Sequence, residues 1–279
     1  MFQVRTMRTN DFLFATKLAN TMNWNMAVED FEFMVLLEPN GCFVALDGVK
    51  RVGIASCIRF GSVGWFGDLI VKEEYRKRGV GSLLVRHALE YLISQGAKTV
   101  GLYAYPDLVG FYANLGFRSE VDFSVLEVKH LGHVQSGVLL ETGKDHLAAI
   151  EAFDRSLFGS DRARLLESII LEDGNLCYCC FEGGKMVGYV AATVYEKMAW
   201  IGPLICQPGK SEVAISLVQS VLSSLRGLSV YSVVAKKETA LLDAFLRFGF
   251  VEAFSVSRMF LGEISVKNCI YLAESLERG

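Results

Sequence analysis

Residues 64–89 read GWFGDLIVKEEYRKRGVGSLLVRHAL: an apolar run, a basic turn with two glycines, and an amphipathic segment. The apolar run over 64–71 is typical of a buried β-strand. Over residues 82–94 apolar side chains recur every three or four positions, which predicts a helix with one buried face. A strand that passes into a helix through a tight turn indicates an α/β or α+β domain.

The flanking segments continue the alternation of strands and helices. Apolar, β-rich runs predict four further strands, at residues 43–46, 52–60, 99–104 and 123–128. A short helix is expected at 110–115, ended by Gly116. We therefore expect an α/β or α+β domain built around one mixed sheet.

The second half of the chain repeats the first. The segment RVGIASCIRFGSVGWFGDLIV at 51–71 aligns with MVGYVAATVYEKMAWIGPLIC at 186–206, an offset of 135 residues. ANLGF at 113–117 recurs as LRFGF at 246–250, an offset of 133, so two residues are lost in the turn before the helix. A duplicated unit predicts two tandem domains, which we place at residues 1–132 and 133–279.

Composition and charge narrow the class of protein. The chain has 279 residues, 52% hydrophobic and 21% charged, which is too apolar for a disordered protein. Its net charge of −3 lacks the excess of positive charge that is typical of nucleic-acid-binding domains. No apolar run approaches the roughly 18 residues of a membrane helix. We expect a small-molecule or peptide partner, no nucleic acid and no membrane, in a monomer or homodimer.

The cysteines favour core packing over metal binding. Seven cysteines occur at irregular spacings, three of them in the apolar run CYCCF at residues 177–181. Metal sites need paired spacings with a second pair elsewhere, and the four histidines supply none, so we expect no metal. Free thiols indicate a reducing, cytoplasmic setting.

The turn RKRGVG at residues 76–81 has the properties of a phosphate site. Its glycines let the backbone approach a ligand closely, and successive N–H groups in such a turn converge on an anion. The helix expected to begin near Ser82 adds its positive dipole end. A solvated basic turn with Ser82 as the helix cap is the alternative interpretation.

The order of strand, Arg-x-x-Gly-x-Gly, helix, strand and FYANLGF resembles the GNAT superfamily of acetyl-CoA-dependent N-acetyltransferases over residues 52–118. The resemblance implies two tandem GNAT-like domains, each a mixed, largely antiparallel sheet flanked by helices. It also implies acetyl-CoA as co-substrate, held where the fourth and fifth strands diverge. The pantetheine arm would pair with main-chain groups after the strand centre, and the glycine turn would hold the pyrophosphate. The implied cofactor-binding residues are Leu69, Ile70, Val71, Arg76, Lys77, Arg78, Gly79, Val80, Gly81 and Ser82.

The same resemblance makes Tyr112 the general acid that protonates the departing thiolate. A phenol can donate to a thiolate; a half-buried structural tyrosine, which is common at such positions, is the alternative. Asp68, a lone carboxylate in an apolar run, is the candidate general base. A strand-edge aspartate with a structural hydrogen bond, or a water chain as base, remains the alternative.

Trp24 and Asn25 are candidates for the acceptor site, the ring excluding water and the amide orienting a polar substrate. A helix stop at Asn23 with Trp24 in the core is the alternative. The expected function is transfer of an acetyl group from acetyl-CoA to a primary amine of a small molecule or peptide. A longer acyl donor, and a non-catalytic acyl-CoA-binding sensor, remain open.

The second repeat is expected to be degenerate. Under the offsets above, Gly79 falls at Glu212 and Tyr112 at Phe245. A carboxylate would repel the pyrophosphate, and phenylalanine has no proton to donate.

Overall fold

A computed structural model of the chain describes residues 1–135, 141–264 and 267–279. The chain divides into two compact units. The first comprises residues 1–102 with 260–263 and 278, and the second comprises 103–259 with 264–277 and 279. The boundary at 132/133 refers to the sequence duplication and stays a prediction.

The first unit is a sheet with helices packed on it. Its strands follow the order of the chain across the sheet, and they are β1 (Phe2–Thr6), β2 (Cys42–Asp47), β3 (Lys50–Phe60), β4 (Val63–Val71) and β5 (Thr99–Ala104). The pairing is antiparallel up to β4 and parallel between β4 and β5. Its helices are α1 (Phe12–Ala19), α2 (Val28–Leu37) and α3 (Val80–Ser94).

The predicted strands of the first repeat are confirmed, and the helix after the glycine turn begins earlier than expected. It begins at Val80 instead of near Ser82, because Gly79 (φ +86°) already completes the turn. β1 was not predicted: FQVRT carries a weak alternation, and its strand conformation depends on pairing with β2.

The second unit is also a mixed sheet with helices. Its strands are β6 (Arg118–Val128), β7 (Glu141–Thr142), β8 (Leu176–Glu182), β9 (Lys185–Val194), β10 (Met198–Cys206), β11 (Ser229–Ala235), β12 (Val251–Leu261) and β13 (Ile270–Leu272), in the spatial order β12-β6-β11-β13-β10-β9-β8-β7. Its helices are α4 (Val109–Ala113), α5 (Leu147–Phe158), α6 (Ala163–Ile170), α7 (Ser211–Ser223) and α8 (Thr239–Arg247).

The last strand of the first sequence repeat belongs to the sheet of the second unit. β6 pairs antiparallel with β11, from Phe123 opposite Ala235 to Val128 opposite Val230. The compact units therefore differ in membership from the sequence repeats.

The duplication is visible in the packing of α3 and α7. A methyl group on Gly53 of β3 would lie 3.2 Å from Leu84 of α3, and one on Gly188 of β9 would lie 3.1 Å from Leu217 of α7. Glycine at both positions lets the helix approach the sheet closely. These pairs preserve the offsets of 135 for the strand and 133 for the helix, which supports the repeat alignment.

Candidate active site

A β-bulge interrupts β4 at Asp68. Asp68 and Leu69 together lie opposite the single residue Ala55 of β3. Asp68 has φ +50°, in the left-handed region that a bulge of this kind usually fills with glycine. The extra residue bends the strand and re-aims Ile70 and Val71.

The pairing of β4 with its neighbour β5 ends before the bulge. The parallel pairs run from Val63 opposite Thr99 to Trp65 opposite Gly101, and no further pair joins the two strands in the part of the chain that the structure describes. β4 nevertheless continues to Val71. The divergence implied by the family resemblance is confirmed, and it leaves a gap in the ladder beside residues 69–71.

The turn after β4 presents main-chain donors to an anion. The first intrahelical bond of α3 runs from the N–H of Leu83 to the carbonyl of Gly79, at 3.0 Å. The N–H groups of Val80, Gly81 and Ser82 therefore have no acceptor within α3, and they lie at the positive end of the helix dipole. This geometry suits a phosphate or pyrophosphate.

The basic side chains of the turn differ in their contacts. The Nε of Arg76 donates to the carbonyl of Val71 at 3.0 Å. The guanidinium of Arg78 lies 5.4 Å from the centre of the Phe2 ring and 5.1 Å from that of Tyr75, a cation–π geometry. These contacts brace the loop, while the positive charge stays beside the helix N-terminus. The residues present thus fit a cofactor that carries a pyrophosphate.

Asp68 is a buried carboxylate held by the neighbouring strand. Its side chain is 7% exposed and accepts a 2.6 Å hydrogen bond from the Ser56 hydroxyl. Burial raises the pKa of Asp68 above its ordinary value, while the Ser56 hydrogen bond and the charge of Arg278 oppose that shift. Asp30 of α2 adds to the increase in the pKa. A carboxylate is a stronger base when its pKa is raised toward neutral pH, and it can then accept a proton from an amine more readily.

Arg278 packs on α2 in the first unit. Its Nη1 lies 3.7 Å from the sulfur of Met34, and its guanidinium is 5.3 Å from the centre of the Phe33 ring. The residue is 8% exposed. Its charge partly offsets the buried charge of Asp68.

Tyr112 lies in the second unit, in the short helix α4. It is 5% exposed, and burial raises its pKa, which keeps the phenol protonated. Its ring meets those of Phe111 and Phe117 edge-on, with centroids 5.0 and 5.9 Å away. The environment is compatible with a proton donor.

A Schellman motif fixes the end of α4. The N–H of Phe117 bonds to the carbonyl of Tyr112 and the N–H of Gly116 to that of Ala113, with Gly116 at φ +96°. The second repeat closes α8 with the same two bonds, from Phe250 to Phe245 and from Gly249 to Leu246.

The loop with Trp24 and Asn25 is short and internally bonded. Asn23 has φ +58° and caps the preceding turn, as the helix-stop interpretation predicts. Asn20 exchanges two hydrogen bonds with the main chain of Met26 and so closes the loop. Trp24 is half-buried and Asn25 is exposed.

The corresponding positions of the second repeat carry different chemistry. Glu212 lies in the first turn of α7, where the helix dipole stabilises its carboxylate and the carboxylate would repel a phosphate. Phe245 packs edge-on against Phe250 at 4.9 Å, as Tyr112 does against Phe117, but it has no hydroxyl.

The structure thus groups Asp68, the glycine turn, Trp24 and Asn25 in the first unit and Tyr112 in the second. Sequence reasoning missed Ser56 and Arg278, which lie 12 and 210 residues from Asp68 and carry no local motif.

Within the described ranges, no three or more His, Cys, Asp or Glu side chains cluster in a way that could hold a metal ion. Nor is any helix there long and apolar enough to cross a membrane.

Comparisons with known proteins agree on one family. Residues 11–117 match the model of the acetyltransferase (GNAT) family, and residues 150–269 match a second acetyltransferase (GNAT) domain model. The uncharacterized N-acetyltransferase YitH of Bacillus subtilis is 24% identical over 221 residues, which span 77% of this chain and 76% of that protein.

Solved structures share the fold over nearly the full length of the chain. A putative acetyltransferase from Pyrococcus horikoshii superposes with a TM-score of 0.82 at 22% identity, covering 100% of this chain and 96% of that one. A tandem GNAT protein from the clavulanic acid biosynthesis pathway gives a TM-score of 0.65 at 15% identity, covering 94% and 98%.

Proposed function

The chain belongs to the GNAT acetyltransferase superfamily, with two domains of that family in tandem, and on this premise we propose that it transfers an acetyl group from acetyl-CoA to a primary amine of a small molecule or peptide. The observation that carries the proposal is the end of the β4–β5 ladder at Trp65, directly before a bulge and a glycine turn. Strand, bulge and turn together form a path for a long cofactor with a pyrophosphate.

We assign cofactor binding to the first repeat. Main-chain groups of Leu69, Ile70 and Val71 pair with the pantetheine arm where β5 has left β4. The turn from Arg76 to Ser82 binds the pyrophosphate through its N–H groups and its charge. Acetyl-CoA, when bound, supplies the acetyl group as a thioester and leaves as a thiolate.

The chain's own residues position the reactants and move protons. Asp68 accepts a proton from the acceptor ammonium, directly or through a water, so that the free amine attacks the carbonyl. Tyr112 donates its phenolic proton to the leaving sulfur. The N–H of Val71 polarises the thioester carbonyl. No protein nucleophile is required.

The acceptor site is assigned to the loop before α2, with Trp24 and Asn25 in contact with the amine substrate. The net charge of −3 and the carboxylate of Asp68 favour a cationic amine. All seven cysteines are free thiols, which supports a reducing, cytoplasmic setting. We further propose that the protein is a monomer or homodimer. The proposed boundary between the repeats, at 132/133, lies in the stretch between the two family matches.

The experiment that tests this proposal measures release of coenzyme A with acetyl-CoA across a panel of amines. The native chain should turn over at least one amine, Gly79→Glu should lose acetyl-CoA binding, and Tyr112→Phe should lower kcat. Acetyl-CoA binding without turnover on any amine would instead indicate an acyl-CoA-binding sensor. Turnover only with longer acyl-CoA donors would correct the acyl group and keep the reaction class.

A further inference from the structure

The second repeat contains a gap between strands equivalent to that of the first. β10 and β11 pair in parallel from Met198 opposite Ser229 to Ile201 opposite Ser232. β10 then continues to Cys206, and its direct pairing with β11 ends, as the pairing of β4 with β5 ends in the first unit. A bulge again precedes the gap, where the β10–β9 register shifts between Ile201 and Leu204.

Here the gap is filled by the chain itself. β13 pairs antiparallel with the end of β10, with Leu272 opposite Leu204, Tyr271 opposite Ile205 and Ile270 opposite Cys206. On its other side Leu272 lies opposite Val234 of β11. The strand therefore bonds to both walls of the gap.

The residues that β13 covers are the counterparts of the assigned cofactor strand. At the offset of 135, Leu204, Ile205 and Cys206 correspond to Leu69, Ile70 and Val71. Main-chain groups assigned to the pantetheine arm in the first repeat are thus paired with a peptide strand in the second.

Side chains hold β13 in place. Ile270, Tyr271 and Leu272 are all buried. The hydroxyl of Tyr271 accepts a 3.3 Å hydrogen bond from Arg162, whose guanidinium forms a buried ion pair with Asp154 at 2.6 Å. Tyr189 donates to the same carboxylate at 2.5 Å, so each charge in the cluster has a partner. Such a satisfied buried network is costly to open.

From these observations we infer that the gap between β10 and β11 in the second repeat is a binding site for a peptide strand. The chain's own β13 occupies it, and the second repeat binds no acyl-CoA. The inference rests on the proposed function for the assignment of residues 69–71 to the cofactor. The binding mode is β-strand addition: main-chain bonds hold the segment, and side-chain burial selects it. The chain then has one cofactor site, in the first repeat.

Cross-linking tests the occupancy. Cys206 lies directly opposite Ile270, so Ile270→Cys should form a disulfide with it under mild diamide oxidation, because opposed residues of an antiparallel pair have Cα atoms about 4.5–5.5 Å apart, within the range that a disulfide spans. Cys269→Ser removes the neighbouring thiol from this variant. Cys206→Ser in the same background is the matched control and should give no cross-link. Failure of the Cys206–Ile270→Cys disulfide to form would overturn the inference.

Competition tests the claim about acyl-CoA. Saturating acetyl-CoA should leave the rate of disulfide formation unchanged, and titration calorimetry should find one acetyl-CoA per native chain, with none bound to Gly79→Glu. Protection of the thiols by acetyl-CoA, or a second binding site that survives Gly79→Glu, would overturn the inference. The disulfide could also form at the same rate with and without acetyl-CoA in a chain that acetylates no amine. That result would contradict the proposed function but not the placement of β13 in the gap.

Discussion

The Ser56 hydroxyl donates a 2.6 Å hydrogen bond to the Asp68 carboxylate, and it does so at the bulge that ends the regular part of β4. The bond joins adjacent strands through two buried side chains. It also lowers the pKa of Asp68, against the larger opposite effect of burial. The ionisation of Asp68 is therefore tied to the geometry of the strand assigned to the cofactor.

We expect kcat/KM to fall on the acid side as Asp68 becomes protonated, because only the carboxylate can accept the ammonium proton. Since burial raises the pKa of Asp68, this loss should occur at a higher pH than the ordinary aspartate value of about 3.9. Asp68→Asn should lower kcat by roughly 10²- to 10⁴-fold and remove that limb of the pH profile. An unchanged acid limb in the variant would assign the base to a water chain instead.

The same substitution should raise thermal stability at pH 7. A carboxyl whose folded-state pKa is raised binds protons more readily when folded, so its ionisation costs stability as pH rises above the unfolded pKa. Asparagine is neutral at every pH and still accepts the Ser56 hydrogen bond. Tm should exceed that of the native chain at pH 7, and the difference should shrink toward pH 3.

Ser56→Ala should act in the opposite direction on stability. Loss of the hydroxyl leaves a buried carboxylate without its donor, which costs about 1–3 kcal/mol in unfolding free energy at pH 7. The pKa of Asp68 should rise further, moving the acid limb of the rate profile to higher pH. Urea denaturation and the pH profile measure the two effects, and Ser119→Ala at an exposed position of β6 is the control.

Tyr112→Phe should lower kcat by about 10²- to 10⁴-fold with little change in KM for acetyl-CoA. The reason is that the ring packing against Phe117 is retained while the proton donor is removed. Tyr195→Phe, at a tyrosine 45% exposed in the second unit, should leave kcat unchanged. Steady-state kinetics at saturating amine separates the two parameters, and equal kcat in both variants would exclude Tyr112 as the acid.

Gly79→Glu should raise KM for acetyl-CoA at least about 100-fold, because a carboxylate in the anion site repels the pyrophosphate by several kcal/mol. Gly96→Glu is the matched control. It lies just beyond the other end of α3, is also exposed, and also has positive φ, so the backbone strain is comparable. Equal KM values for the two variants would show that strain, and not charge at the turn, is responsible.

β4, the glycine turn and α3 could be predicted because their signals are local. Residues 64–89 carry an apolar strand, two glycines and a helical period within one window. The bulge at Asp68 has no such signal, because in the sequence an aspartate with positive φ looks the same as any other polar residue within a strand. Arg278 could not be predicted as its neighbour because nothing nearby in sequence marks which cation offsets a buried carboxylate.

Long-range pairing was equally beyond sequence reasoning. β13 is three residues long, too short for a periodic pattern, and its conformation comes from the two strands on either side of it. The alignment of the repeats located Glu212 and Phe245 and so predicted a second half without a cofactor motif. It could not predict that a peptide strand would fill the vacated gap.

The placement of β6 bears on whether the two repeats can be separated. Six of its residues pair with β11, so a strand encoded by the first repeat completes the sheet of the second unit. Gene fission at the repeat boundary would leave one product with an open sheet edge and the other with an orphaned strand. The second unit therefore needs a strand from the first repeat, and the two repeats cannot be separated at their sequence boundary without opening its sheet.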